Sequence, residues 1–271
     1  MKKLVLGVYL LLYLIAISTV ILTAYIHGYE NFLENMTKEN GFFETFSLFI
    51  LLGIFIFGLF SLYIHRKTFD KIPLILIGLF SFVVFLAAME EISWGQQLFH
   101  FESSSFFMKN NLQHETNLHN LVDGNLFSSI VYSSVYTVFV FIPLFYKTIL
   151  KKYDRFSWLH WFDIDPHSIL MVLFASSFQV YFYDDFGVVV DFVTLWAGLL
   201  LFGYFVFSNR TGKLLKIHFV SVVLSSCLFM INYKIFGFYN MQYEIREMFV
   251  MLASLLIFIE TVQKIDKNKT I

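Results

Sequence analysis

The feature that most constrains this 271-residue chain is a series of apolar runs, each about 20 residues long. A helix of about 20 residues is long enough to cross the hydrocarbon core of a bilayer, which is about 30 Å thick. Eight runs meet this criterion, at about residues 4–27, 43–65, 72–91, 126–147, 166–183, 187–207, 214–232 and 246–263. The sequence therefore predicts an all-α, polytopic membrane protein that forms a single integral membrane domain over residues 1–271.

The composition excludes a soluble domain. Hydrophobic residues make up 58% of the chain and charged residues only 14%, too few to cover a water-exposed surface. The one cysteine, Cys227, lies in a predicted span, so neither an intrachain disulfide nor a thiolate metal cluster is expected. No nucleic-acid-binding signature and no Gly-rich phosphate loop is found. We expect a multi-pass protein of the cell membrane whose first span is not cleaved.

The basic residues predict the orientation of the spans, because Lys and Arg concentrate in cytoplasmic loops. With both termini in the cytoplasm and eight spans, 15 of the 19 basic residues fall on the cytoplasmic side. The other four are Lys38, Lys109, Lys234 and Arg246. Most of the acidic residues then lie on the outer side of the membrane, together with every dense polar cluster.

The first polar cluster is the stretch "AMEEISWGQQLFH", residues 88–100, which closes the third predicted span. If the helix continues through it, Glu90, Trp94 and Gln97 share one face and His100 lies on another. An ionised side chain at membrane depth is costly unless it faces a cavity or a partner, so Glu90 and Glu91 are candidate catalytic groups. The alternative is that both glutamates lie at the interface, where water hydrates them.

The second cluster lies in residues 92–125, which we call the outer loop and expect to be partly helical. A connection of this length is usually functional or disordered, and the aromatic content argues against disorder. The string "HETNLHNLVD" spaces Glu115, His119 and Asp123 four residues apart. That spacing suits a metal site or a carboxylate–histidine hydrogen bond, so His114, Glu115 and His119 are candidate metal ligands, with Asn117 and Asp123 in support. The alternative is a polar helix lying in the membrane interface.

A third cluster, "YFYDDFG", places Asp184 and Asp185 at the end of the fifth predicted span. These two carboxylates are candidate supporting residues of the same site. The alternative is that they only make the turn to the next span.

A Glu-Glu pair at a span end, followed by His119-x-x-x-Asp123, resembles in outline the CAAX-type intramembrane proteases. The resemblance implies Glu and His residues around a metal ion or an activated water. The chain departs from that pattern because Trp94 and Gly95 stand where the family has an Arg. Its site is also predicted on the outer rather than the cytoplasmic face, so we do not assign the chain to that family.

Three functions fit these patterns. The first is a metal-assisted hydrolase or transferase that uses a divalent ion and acts on a lipid or lipid-linked substrate at the outer leaflet. The second is a non-catalytic scaffold or partner subunit whose outer loop docks another protein. The third is an ion-coupled transporter that uses Glu90, Glu91 and Asp185.

Overall fold

The fold is that of a computed structural model of the full chain. The structure describes residues 42–122, 124–153, 155, 162–178, 186–209, 211–236 and 239–269, and the isolated positions Gly7, Tyr13, Leu14 and Ser18. This part of the chain is 84% helical and contains no strand, as the apolar periodicity predicts.

Ten α-helices occur in the described ranges from residue 42 onward. They are α1 (Phe42–His65), α2 (Lys71–Glu91), α3 (Gln96–Phe99), α4 (Ser105–Asn110), α5 (Gly124–Tyr136), α6 (Ile142–Thr148), α7 (Pro166–Ala175), α8 (Phe186–Ser208), α9 (Lys213–Phe236) and α10 (Tyr239–Lys269). A π-helical segment, Thr137–Phe141, joins α5 and α6 into one continuous rod.

Six helical segments in the described part are long and apolar enough to cross a membrane. They are Phe42–His65, Lys71–Glu91, Ser129–Lys152, Val189–Ser208, Lys213–Ile231 and Ile245–Asp266. Each lies within a few residues of a predicted span, so the multi-pass helical architecture is confirmed. The predicted first span, 4–27, lies outside the described residues apart from the four isolated positions, which include Tyr13 in a helix.

The fifth predicted span, 166–183, differs from expectation. Its helix, α7, covers only Pro166–Ala175, about 15 Å at 1.5 Å per residue, or half of a bilayer core. Beyond Ala175 the hydroxyls of Ser176 and Ser177 donate to the carbonyls of Val172 and Phe174, and the chain turns. Residues 179–183 lie outside the described part.

Helix α7 is the centre of the bundle. All eight side chains from Ser168 to Ala175 are buried, and α7 packs against both α9 and α10. Around this centre α1 packs against α2 and α10, and α8 packs against α5. The outward sides of α1 and α2 expose Phe49, Ile56, Leu79 and Phe82, as expected of side chains that face lipid. The outer loop therefore runs from the end of α2 to the start of α5, at the rim of a bundle whose outward side chains are apolar.

Candidate functional site at the outer loop

Glu90, in the last turn of α2, is the point where the two predicted polar segments meet. One carboxylate oxygen, Oε1, accepts a hydrogen bond from the indole Nε1 of Trp94 at 2.5 Å. The other, Oε2, accepts from the backbone N–H groups of Leu118 at 2.7 Å and His119 at 3.1 Å. Every group in these contacts is a donor, which is the environment that suits an ionised carboxylate.

Glu90 also contacts the side chain of His119. Its Oε2 lies 3.2 Å from the Nδ1 atom of that imidazole. An ionised carboxylate can only accept, so Nδ1 carries the proton and Nε2 is left as the basic nitrogen of a neutral ring. The His119 side chain is 32% exposed and its ring lies 5.8 Å from the ring of Phe127. The pair therefore sits at the edge of the protein, where a substrate can reach it.

The backbone directly after α2 is strained. Ser93, Trp94 and Gly95 have φ angles of 47°, 56° and 93°, so three consecutive residues adopt left-handed conformations. Only the glycine does so without cost, and a non-glycine residue there costs about 1–3 kcal/mol. The helix therefore does not continue through residues 88–100 but ends at Glu91, the predicted end of the span, and Glu90 and Trp94 still meet through the turn.

The strained turn places Ser93 in a buried polar network. Its Oγ donates to Glu115 Oε2 at 2.5 Å and accepts from Asn117 Nδ2 at 3.2 Å. The same amide donates to Glu115 Oε2 at 2.9 Å. Ser93 and Asn117 are fully buried, so these bonds satisfy groups that water cannot reach. Glu115 is thus held by the segment after α2, as Glu90 is held by the segment around His119.

Asn111 organises the chain leading into this network. Its Oδ1 accepts from the backbone N–H groups of Gln113 at 2.9 Å and Glu115 at 3.2 Å. Its Nδ2 donates to the carbonyl and the side-chain oxygen of Asn117, at 2.9 and 2.8 Å. Asn side chains compete with helical hydrogen bonding in this way. Turns therefore replace the expected helical face through Glu115 and His119 over residues 111–118.

Gln96 ties the two halves of the outer loop together a second time. Its Oε1 accepts from the backbone N–H of Thr116 at 2.7 Å and from the hydroxyl of Ser103 at 3.1 Å. Sequence reasoning missed the roles of Ser93, Gln96 and Asn111. The reason is that a buried polar side chain in a polar string has no signal distinguishing it from a solvated one.

The remaining predicted residues of this region have the following positions. Glu91 is half-buried at the end of α2, and Gln97 is half-buried in α3. His100 is exposed at the C-terminal end of α3, with φ of 54°. His114 is exposed, and its Nδ1 lies 2.8 Å from the carbonyl oxygen of Met108.

The structure does not bring the three predicted metal ligands together. His114, Glu115 and His119 contact Met108, Ser93 and Glu90 respectively, each in a separate place. Among the described residues no group of three or more His, Cys, Asp or Glu side chains is arranged to hold a metal ion. Asp123, Asp184 and Asp185 lie outside the described part. The divalent-ion site stays a prediction.

A second polar cluster, inside the bundle, was not predicted. Arg246 of α10 is 1% exposed, and its Nη1 lies 2.9 Å from Asp191 Oδ2 of α8. Its guanidinium carbon lies 3.3 Å from the centre of the Tyr132 ring. Arg246 is one of the four basic residues predicted away from the cytoplasmic side, and no pattern in the sequence showed that it pairs with Asp191.

A third cluster lies where α7 and α9 begin. The hydroxyl of Tyr13 is 2.5 Å from His218 Nε2, and His218 Nδ1 is 2.8 Å from His167 Nδ1. Glu260 of α10 accepts from the backbone N–H of Asp165 at 2.9 Å and from Ser168 Oγ at 3.2 Å. The two histidines are 51 residues apart, so local spacing could not reveal their contact.

Comparison with known proteins adds no relative. No family model, no curated protein and no solved structure matches this chain. The outline resemblance to CAAX-type proteases therefore rests only on the residues quoted above.

Proposed function

We propose that this protein is a hydrolase or transferase of the cell membrane that acts on a lipid or lipid-linked substrate at the predicted outer face. The observation that supports this proposal is the 3.2 Å contact between Glu90 Oε2 and His119 Nδ1, in a ring that is part-exposed at the rim of the bundle. A carboxylate that holds one nitrogen of an imidazole leaves the other nitrogen available as a general base.

In the proposed reaction, His119 Nε2 removes a proton from a water molecule or from the hydroxyl of an acceptor. The activated oxygen forms a bond to the carbonyl carbon or phosphorus of an ester, and the bond to the leaving oxygen breaks. The proton on His119 then passes to that leaving oxygen, which returns the imidazole to its neutral form. Glu90 stabilises the transient imidazolium. General-base catalysis of this kind contributes about 10²–10⁴-fold to a rate.

The position of the pair favours an amphiphilic substrate. Glu90 lies at the end of α2, whose outward residues Leu79, Phe82 and Val83 are exposed as lipid-facing side chains are. The final turn of such a helix lies near the depth of the lipid headgroups. An ester bond at that depth can reach His119 while its acyl chains stay in the bilayer. The proposed proton transfers use His119 and Glu90 alone, because the described imidazoles and carboxylates do not converge on a three-ligand metal site.

An ion-coupled transporter is the second candidate, and two observations favour it. Helix α7 is a buried half-length helix, and the bundle also holds the buried Arg246–Asp191 pair. Discontinuous helices and intramembrane charges are typical of substrate sites in transporters. A scaffold that docks another protein through the outer loop is the remaining alternative.

The test measures product formation in vesicles. These contain the purified protein and lipids extracted from the membrane in which the protein was expressed. The reaction is run in oxygen-18 water, and products are identified by mass spectrometry. We expect lipid cleavage with oxygen-18 in the acid or phosphate product if water is the acceptor, and an unlabelled transfer product if it is an alcohol. His119→Gln should reduce either product at least 100-fold.

The matched control is His100→Asn, which removes another imidazole of the same loop. Asn tolerates the left-handed conformation found at that position, so the loop should keep its shape. Equal turnover in the wild type and His100→Asn supports the proposal. Wild-type vesicles that match protein-free vesicles would contradict it and favour the scaffold or transporter alternatives.

A further inference from the structure

The outer loop has its polar and apolar residues in the reverse of the usual arrangement for a water-exposed loop. In the described part of the loop the fully buried side chains are those of Ser93, Asn111 and Asn117, and all three are polar. Most of its large apolar side chains point outward, with Phe99 78% and Leu112 71% exposed. Other exposed members of this set are Leu98, Phe101, Phe106, Met108 and Leu118. Single exposed apolar residues are ordinary, but a loop that buries amides and exposes phenylalanines is not.

The backbone N–H groups of residues 111–119, in the second half of the loop, are almost all bonded within the protein. Among the nine residues 111–119, which include only the start of a short 3₁₀ turn, eight backbone N–H groups donate to protein acceptors. Five of those N–H groups donate to three side-chain oxygens, one each of Asn111, Gln96 and Glu90. Irregular backbone can enter a lipid environment only where the protein itself satisfies its polar groups. The network thus lowers the cost of placing residues 111–119 in a membrane.

The exposed apolar set is also continuous with surfaces that face lipid. The loop follows α2, which exposes Leu79 and Val83, and it leads into α5, which exposes Leu126, Phe127 and Ile130. A loop whose two ends join lipid-facing helices begins and ends at the membrane surface. Phe, Leu and Met side chains at that depth gain free energy by leaving water for the acyl region.

We infer that the outer loop is inserted into the adjoining lipid leaflet, with Leu98, Phe106 and Leu112 below the level of the lipid phosphates. The partner is the bilayer itself, and the insertion does not depend on the proposed catalytic activity. The buried network serves as the polar interior of an element whose exterior is apolar. Glu90 and His119 then lie beside inserted side chains, level with the ester region of the lipids.

The test uses single cysteines in a Cys227→Ser background, each carrying a nitroxide spin label. Labels replace Leu98, Phe106 and Leu112, and matched controls replace Glu102 and Ser104, which are exposed polar residues of the same loop. The protein is reconstituted in vesicles of palmitoyl-oleoyl phosphatidylcholine and phosphatidylglycerol at a three-to-one ratio. Collision of each label with oxygen, which is concentrated in the acyl region, is compared with collision with a water-soluble nickel chelate.

We expect labels at 98, 106 and 112 to favour oxygen over the nickel chelate by at least 5-fold relative to the labels at 102 and 104. The same ratio should hold when the lipid-to-protein ratio is raised 10-fold. Equal, water-like accessibility at all five sites would overturn the inference. So would spin–spin broadening at 98, 106 or 112 that disappears on dilution with lipid, because a second copy of the chain would then cover the surface. Each variant is scored only if it elutes like the wild type in detergent.

Discussion

Glu90 lies in the last turn of α2, a helix with an exposed apolar side, yet it is not an exposed boundary residue. Its carboxylate accepts hydrogen bonds from the Trp94 indole and two backbone N–H groups, and it contacts the His119 imidazole. Two glutamates hold the strained turn at Ser93–Gly95 in place. The Trp94 indole donates to Glu90, and the Ser93 hydroxyl donates to Glu115. The Glu90 carboxylate thus both stabilises the loop and orients His119, the proposed base.

The buried network predicts a large effect for a small change. Ser93→Ala removes one of the two hydrogen bonds that Glu115 Oε2 accepts and one of the two that Asn117 Nδ2 donates, which costs about 1–3 kcal/mol. We expect a lower apparent Tm for the purified protein, measured by the loss of its monodisperse chromatographic peak on heating. Ser104→Ala is the control, because Ser104 is exposed on the same loop and makes no cap hydrogen bond. An equal apparent Tm for both variants would argue against the network.

Asp163, which lies between α6 and α7, predicts a pH dependence. Its burial raises the pKa, but hydrogen bonds from Lys147 and Lys151 outweigh that effect and hold the pKa of the carboxyl below its usual value. A lowered pKa in the folded state adds stability that is present above about pH 4, the usual value for Asp, and is lost as the pH falls through the lowered value.

We therefore expect Asp163→Asn to lower the apparent Tm at pH 7, and the effect to shrink as the pH falls below about 4. The difference between wild type and variant across this range is the measurement. Glu102→Gln, at an exposed site in the outer loop, should show no comparable change. A constant difference from pH 7 to pH 3 would mean that the carboxylate charge is not what the two lysines stabilise.

At the scale of elements, the pairing of α1 and α2 depends on a close approach. A Cβ atom added to Gly58 would lie 1.9 Å from Ser81 Oγ, whereas one added to Gly53 would meet nothing within 4 Å. We expect Gly58→Ala to lower the apparent Tm, with an overpacking cost of about 1–3 kcal/mol, and Gly53→Ala to leave it unchanged or raise it. Equal effects of the two substitutions would contradict the packing of these helices.

The buried pair of α8 and α10 gives a second element-scale prediction. Asp191→Leu leaves the Arg246 charge inside the bundle without its carboxylate, which costs about 3–5 kcal/mol. Combining it with Arg246→Met removes both charges and should recover most of the lost stability, as measured by the yield of monodisperse protein. A double variant no better than Asp191→Leu alone would mean that the uncompensated arginine charge is not what destabilises the single variant.

Periodicity and length were sufficient to predict the long helices, because a span of about 20 apolar residues has few alternative structures in a membrane protein. They did not predict the end of α7, since the turn there depends on Ser176 and Ser177, which are compatible with a helix. For the candidate site, the sequence was enough to identify several residues but not their contacts. Sequence analysis singled out Glu90, Glu115 and His119, but not which residue each would contact. Those contacts join residues 22–29 positions apart through a turn in which a serine and a tryptophan adopt positive φ angles, against their preference.

For the whole molecule, the distribution of basic residues predicts that the outer loop and the connection between α8 and α9 lie on opposite sides of the membrane. In a Cys227→Ser background, a cysteine at Ser105 should react with a membrane-impermeant maleimide added to intact cells. A cysteine at Gly212, an open and exposed position, should react only after the membrane is permeabilised. Reaction of both from outside would overturn the predicted topology.

If Glu90 orients His119 as a base, the protonation of the two ring nitrogens of His119 must show it. Protein labelled with nitrogen-15 histidine in detergent micelles is compared with His119→Asn, so that the difference spectrum reports His119 alone. At a pH where the ring is neutral, we predict a proton on Nδ1 and an unprotonated Nε2, and loss of this preference in Glu90→Gln. A proton on Nε2 in the wild type would contradict the proposed mechanism.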